Sequence, residues 1–276
     1  MTFLAAQTLP RGAFEVIVAN NNSRCGLEEV RRVCGDLALV VPAPAQGAAA
    51  ARNAAIDASR GPYLAFTDQD CRPAPNWLQR GLEALSTSDM VGGRVKVEYE
   101  DPAHTTAVEA FELVFAFNVR RYIRKVGFAV TANMFVPRGV FDRVGGFRPG
   151  APDDLEWGQR ATAAGYRWNY RPEVVVVHGA RRDWPELTHK WRRLTRMAFV
   201  RMLEKPNGRM RWFLRGVLIL LSPFVHWTIV ATTFKLDSRK QRLGAIGVLF
   251  RIRFWRFIEA NRLLLNQMIA AHEIRR

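Results

Sequence analysis

Along the first 180 residues, short β-branched runs bounded by polar clusters alternate with longer amphipathic or alanine-rich stretches. Met1–Ala6 reads as the end of a helix running into Gln7-Thr8-Leu9-Pro10, without the charged, apolar and small-residue plan of a secretory signal. Phe14–Ala19 then predicts a buried strand that stops at Asn20-Asn21-Asn22-Ser23. Further strands are expected at Leu37–Val41, Tyr63–Thr67, Val91–Val97, Ala129–Val136, Tyr166–Tyr170 and Val174–Val177. Helices are expected at Gly47–Ser59, Trp77–Leu85, Ala107–Arg121, Arg138–Val144, Asp154–Ala164 and Pro185–Leu203. Strands and helices taking turns at such spacings predict an α/β fold with a mainly parallel sheet flanked by helices.

The pattern changes after about residue 205. Gly216–Phe234 contains no Asp, Glu, Lys or Arg, close to the roughly 20 residues that cross a bilayer. Ser222-Pro223 interrupts it and both flanks are basic, so an interfacial or re-entrant segment stands beside a spanning one, with no orientation assigned. Over residues 246–272, Phe250, Phe254, Phe257, Ile258, Leu265 and Met268 recur at helical spacing, with Arg253, Arg256 and Arg262 falling mostly off that stripe. Such a helix either packs on the protein's own core with a solvated cationic face or lies among anionic headgroups.

Charge sharpens this division. The 276 residues carry a net +16, yet residues 1–180 hold 20 Lys/Arg against 19 Asp/Glu, while residues 181–276 hold 21 against 6. A near-neutral domain (1–180) followed by a basic helical extension (181–276) predicts an anionic partner for the extension. No nucleic-acid module is recognisable, and the uncharged run suits an anionic membrane surface better than nucleic acid. Three cysteines, Cys25, Cys34 and Cys71, form neither a disulfide framework nor a zinc pattern. They read as reduced and cytosol-facing, which together with the basic extension leads to the expectation of a protein at the cytoplasmic face of the cell membrane.

Candidate chemistry begins where the strand Tyr63–Thr67 delivers Asp68-Gln69-Asp70. Two carboxylates at i and i+2 beyond a strand end suit a hard divalent cation that takes its other ligands from phosphates, although an Asp-x-Asp also occurs in ordinary Asx turns. Around it stand Gly47–Asn53 with Ala51-Arg52-Asn53, Pro73–Leu78, Thr131-Ala132-Asn133-Met134, Phe141–Phe147 with Gly145-Gly146-Phe147, Asp153-Asp154-Leu155-Glu156-Trp157 and Ala164-Gly165-Tyr166. Asp153-Asp154 after Pro152 also makes an ordinary helix start.

In this order the motifs resemble the family 2 glycosyltransferases of the GT-A fold, over roughly residues 1–180. The resemblance implies an inverting transfer of a sugar from a nucleotide-diphosphate donor to a membrane-associated glycan or lipid-linked acceptor. It implies Mg²⁺ or Mn²⁺ held by Asp68 and Asp70, with His178 as a further ligand. Asp154, with Asp153 beside it, is the implied base that deprotonates the acceptor hydroxyl. Arg52, Asn53, Asn20 and Asn133 are the implied substrate-binding residues. The family usually has an Asp where Asn20 stands, and its opening strand precedes the helix into which Met1 falls, so the first strand is expected to be missing. The helix Thr188-His189-Lys190-Trp191-Arg192-Arg193 lacks the Gln-x-x-Arg-Trp of processive relatives, which points to single addition. A second reading is a catalytically weak GT-A domain serving as a membrane-bound binding or scaffold protein.

Overall fold

The computed structural model describes residues 1–150 and 152–273. Its elements in chain order are α1 (Thr2–Ala5), β1 (Ile17–Asn20), α2 (Gly26–Cys34), β2 (Leu39–Pro42), α3 (Ala48–Ala58), β3 (Tyr63–Phe66), β4 (Cys71–Pro73), α4 (Trp77–Leu85), β5 (Met90–Glu98) and α5 (Ala107–Phe115). There follow α6 (Val119–Val126), β6 (Met134–Pro137), α7 (Arg138–Val144), α8 (Asp153–Ala163), β7 (Trp168–Gly179), α9 (Trp184–Leu203), α10 (Gly208–Leu221), α11 (Pro223–Thr232) and α12 (Arg239–Glu273). They fall into two compact units, Met1–Lys96 with Phe117–His178 and Val97–Ala116 with Gly179–Arg276.

In the first unit β1 and β2 pair in parallel, Ile17 opposite Leu39, and form a sheet of their own. The other five strands lie in the order β3-β6-β5-β7-β4. Here the expectation of a mainly parallel sheet is corrected: β3–β6, β5–β6 and β4–β7 are all antiparallel, so the sheet arrangement is mixed. The cause is the number of traverses between strands. One helix between two strands returns the chain in the same sense. Two helices, α5 and α6, separate β5 from β6, and the chain comes back reversed.

Trp77, Trp157, Phe135, Met90 and Met134 are fully buried in this unit's core, with Trp77 set edge-on against Phe135 at 4.9 Å. Asn133 is equally buried. Its Nδ2 donates to the carbonyls of Arg94 and Val174, each at 2.9 Å, and its Oδ1 accepts from Trp77 Nε1 at 2.9 Å. The backbone of β5 comes so close that a Cβ on Gly93 would stand 2.3 Å from Asn133 Nδ2 and 2.4 Å from the Val174 carbonyl.

Three local expectations change. The strand foreseen at Ala129–Val136 begins as a tight turn over Thr131–Asn133, because Asn133 spends its side chain on neighbouring strands. The helix foreseen at Ala107–Arg121 breaks where Phe117 adopts φ +51°, and Asn118 caps α6 by accepting from Arg121 N–H. The two short strands near residue 170 are one twelve-residue strand, β7. Helix α2 and strand β4 were not foreseen.

In the second unit α5 opens with a reciprocal cap between Thr106 and Glu109. Its Glu112 is buried between Arg181 at 2.7 Å and Lys190 at 2.8 Å. Burial would raise the Glu112 pKa, but the two cations outweigh it and hold the carboxyl below its ordinary range. Phe111, Leu187, Leu249 and Ile252 build one core, and Phe199, Trp212 and Ala260 a second. Trp212 Nε1 donates to the Ala260 carbonyl at 2.9 Å and fixes α10 against α12. Among the described residues no single helix is long and apolar enough to cross a membrane; α10 and α11 meet that test only as a pair bent by 42°. The break falls at Ser222-Pro223, where Pro at the first position of α11 removes a backbone donor.

On helix α12 the apolar stripe is not the buried face, while Arg262 stays exposed. Phe250, Phe254, Ile258, Leu265 and Met268 are exposed, whereas Arg256 is 6% exposed and packs inward beside Ile252 and Ala260.

Candidate active site

The carboxylates gather because of a strand register. Beyond β3 the chain turns, with Cys71 N–H donating to the Asp68 carbonyl at 3.0 Å, and enters β4. In the antiparallel ladder with β7, Cys71 stands opposite His178. That pairing sets Asp70 Oδ2 3.2 Å from His178 Nε2, the imidazole being buried against the Phe117 ring at 4.9 Å between centroids. A carboxylate oxygen and an imidazole nitrogen at this spacing are donors that Mg²⁺ or Mn²⁺ accepts, the imidazole favouring Mn²⁺. Among the described residues no group of three His, Cys, Asp or Glu side chains converges, so a cation here would complete its shell with substrate oxygens and water. Cys71 stays a thiol, because burial and the charges of Asp68 and Asp70 push its pKa up to about 12.

Asp68 faces a different partner. Arg52, on the alanine-rich α3, donates from Nη2 to Asp68 Oδ1 at 3.0 Å and from Nη1 to Asp153 Oδ2. One planar guanidinium therefore ties two carboxylates that lie 16 and 101 residues away in the chain. Its carbon lies 6.0 Å from the centre of the Phe147 ring.

Asp153 and Asp154 begin α8, where the helix dipole favours negative charge. Asp154 Oδ1 accepts from Leu155 N–H at 2.7 Å. Burial and then the neighbouring charge of Asp153 raise the Asp154 carboxyl to about 6, against the opposing pull of that hydrogen bond and of Arg52. A carboxyl so placed is ionised at neutral pH and still basic enough to take a proton.

The remaining expected residues serve the frame. Asn53 donates to the Phe147 carbonyl and accepts from the Phe147 N–H, both at 2.9 Å, so it pins the ring beneath Arg52. Gly146 leaves room for it, since a Cβ there would meet Asn53 Oδ1 at 3.0 Å. Asn133 spends its amide on two strands and one helix, and Asn20 Oδ1 accepts from the Ser23 N–H and hydroxyl in a tight turn. Arg160 was not foreseen; it donates to the Gly146 carbonyl at 2.7 Å and to Glu156 at 2.8 Å, holding the glycine turn against α8. Nothing in the local pattern marks an arginine in the last turn of a helix for that task. Phe147 was foreseen as a core anchor, and its place beneath Arg52 depends on a fold contact.

The profile described as "Glycosyl transferase family 2" matches residues 2–145. The glycosyltransferase AglE of Haloferax volcanii is 36% identical over 186 residues, which cover 64% of this chain and 60% of that protein. The succinoglycan biosynthesis protein ExoM of Rhizobium meliloti is 35% identical over 103 residues, 35% of this chain and 33% of that protein. The chain thus spans 60% or less of the length of these relatives. A similar fold is found in the mannosyltransferase PcManGT from Pyrobaculum calidifontis, solved in complex with GDP-Man and Mn²⁺: TM-score 0.57, 22% identity, 96% of this chain and 81% of that one.

Proposed function

The chain belongs to glycosyl transferase family 2, and from that premise we propose that it moves a sugar from a nucleotide-diphosphate donor to a hydroxyl of a membrane-associated glycan or lipid-linked acceptor, with inversion. The observation that carries the reading is the bridge of Arg52 to Asp68 and Asp153, which gathers three separate motifs beside Asp154. Asp154 takes the acceptor hydroxyl proton as the acceptor oxygen bonds to the anomeric carbon. The bond from that carbon to the diphosphate oxygen breaks, and its electron pair leaves with the nucleoside diphosphate. Attack from the face opposite the leaving group inverts the centre. Arg52 exchanges one carboxylate for a phosphate oxygen when donor binds, which its forked donors suit. Asp70 and His178 would hold Mg²⁺ or Mn²⁺, with Asp68 joining them once Arg52 turns to the phosphate; the ion when bound would neutralise charge building on the leaving diphosphate.

The exposed apolar residues of α10 to α12 and the basic balance of residues 181–276 support action as a peripheral protein at the cytoplasmic face of the cell membrane. The relative named for succinoglycan biosynthesis supports a role in polysaccharide assembly. One observation favours the second reading, a weak donor binder acting as a membrane-bound scaffold: β1 and β2 are not joined to the larger sheet.

Release of nucleoside diphosphate from a panel of UDP- and GDP-sugars with Mn²⁺, with a polyprenyl-phosphate-linked sugar as acceptor, tests the proposal. Turnover lost in Asp154→Asn and Asp68→Ala is the expected result. Metal-dependent donor binding without turnover would favour the scaffold, and neither binding nor turnover would refute both.

A further inference from the structure

Most buried charges in the second unit are paired with opposite ones. Glu112 has Arg181 and Lys190, and the buried Glu259 has Arg262 at 3.3 Å and Arg192 at 3.7 Å. Three arginines break that rule. Arg253 and Arg256 sit three apart on one face of α12. Arg215 joins them from α10, whose next residue, Gly216, faces Phe257: a Cβ there would stand 3.5 Å from that ring. Arg256 is 6% exposed and its Nε is buried without a hydrogen-bond partner, as is the Nε of Arg253. Among the described residues none of the three has an ion pair. What surrounds them is aromatic: Arg256 stacks over Trp191 at 3.7 Å and Arg215 over Trp212 at 5.0 Å.

Burial lowers the proton affinity of all three, and mutual repulsion adds to it at Arg253 and Arg256. A guanidinium does not shed its proton in a protein, so this strain stays as an uncompensated positive charge. Cation–π contact offsets part of it, but it supplies no acceptor for the buried N–H groups. The missing component is an anion with several oxygen acceptors. Arg215 and Arg253 are only half-buried and form the open side, with Arg256 as the floor. Exposed Leu214, Leu218 and Phe254 flank the opening. A free phosphate has no use for that apolar rim, whereas an anion borne on a hydrocarbon chain does.

We propose that Arg215, Arg253 and Arg256 form a binding site for the phosphate of a membrane lipid, with the chain lying along the exposed apolar residues of α10 and α12. This site lies within the helical unit and its test reads no sugar transfer, so it stands or falls separately from the catalytic proposal.

The experiment is vesicle co-sedimentation of the full chain on phosphatidylcholine alone and on phosphatidylcholine doped with phosphatidic acid or farnesyl phosphate. Binding is expected on the doped vesicles, weakened about tenfold or more by Arg253→Gln or Arg256→Gln, one charge-assisted contact being worth at least that factor. A control that removes one charge more, the exposed pair Arg239→Gln/Lys240→Gln, should keep its binding. An equal loss in that control would reduce the site to diffuse basic charge. Equal binding to undoped vesicles, or unchanged binding in the arginine variants, would also overturn the proposal. Displacement of the vesicles by inorganic phosphate at matched phosphate concentration would overturn the lipid assignment. Arg256→Lys keeps the charge and loses the fork, so it should bind doped vesicles more weakly while melting like the parent. Arg256→Met should melt no lower than the parent without lipid, because it removes a charge that nothing else answers; a clear fall would mean the charge is already compensated.

Discussion

Replacing Asp154 by Asn should abolish transfer and at the same time stabilise the fold, and the second effect depends on pH in a way that only an ionisation can produce. Asn keeps the shape and the acceptor oxygen that receives the Leu155 N–H. What it removes is a negative charge that burial and Asp153 disfavour. The folded protein binds this proton more tightly than the unfolded chain does, with a pKa of about 6 against an ordinary 3.8. Stability from this group is therefore greatest below 3.8, is lost as pH rises toward about 6, and stays lost above. At 1.36 kcal/mol per tenfold change in proton affinity the gap amounts to about 3 kcal/mol, and about half that with solvent screening at a carboxyl that keeps some exposure. Asn also forgoes attraction to Arg52, which the pKa already includes. Urea denaturation of parent and variant at pH 8 and pH 4 is the assay. A gain of about 1.5–3 kcal/mol at pH 8 that shrinks to near zero at pH 4 is expected. A loss at pH 8, or the same gain at both values, would refute the assignment of a strained carboxylate. Turnover should fall by about 10²–10⁴ if Asp154 is the base.

Four further outcomes follow from the same contacts. The plot of log kcat/KM against pH should rise with unit slope below about 6 and level off above it, since Asp154 must be ionised to accept a proton. Arg52→Ala leaves Asp68 and Asp153 without their shared cation and should move that inflection upward by about one pH unit, read from the same profile, with Arg52→Lys recovering part of it. Asn133→Ala strips the partner from Trp77 Nε1 and from the carbonyls of Arg94 and Val174, and should cost at least about 3 kcal/mol in denaturant unfolding; Gly93→Ala should destabilise too, through its collision with the same amide and carbonyl. Glu112→Ala abandons two buried cations and should cost about 3–5 kcal/mol, whereas Glu112→Ala combined with Lys190→Met should recover part of that loss in a double-mutant cycle.

The groups of the candidate site stand in the sequence where local pattern is strong: Asp68 and Asp70 beyond a β-branched run, Asp153 and Asp154 at a helix start, Arg52 in an alanine-rich helix. Their mutual arrangement was not readable. That Arg52 holds Asp68 and Asp153 together, or that Asn53 and Asn133 serve the frame, depends on contacts between residues far apart in the chain. Sheet direction escaped for a related reason: alternation tells that strands and helices take turns, but the hand of return depends on how many helices intervene. On α12 the periodicity was right, and which way the apolar stripe faces was left open. Apolar spacing marks one stripe of a helix without saying whether protein or something else covers it, and here Arg256 takes the inward place while Phe254 faces out.

The ladder between β4 and β7 also sets a timetable for biosynthesis. Asp70 is made early, but the residue that faces it, His178, belongs to the last strand of its unit, more than a hundred positions later. Nearly the whole first unit must leave the ribosome before these two can meet, and so long a loop closes late in folding. A partly made chain therefore carries its acidic pair with no imidazole opposite, and the corner proposed to hold a cation is assembled only when the unit that supports it is finished.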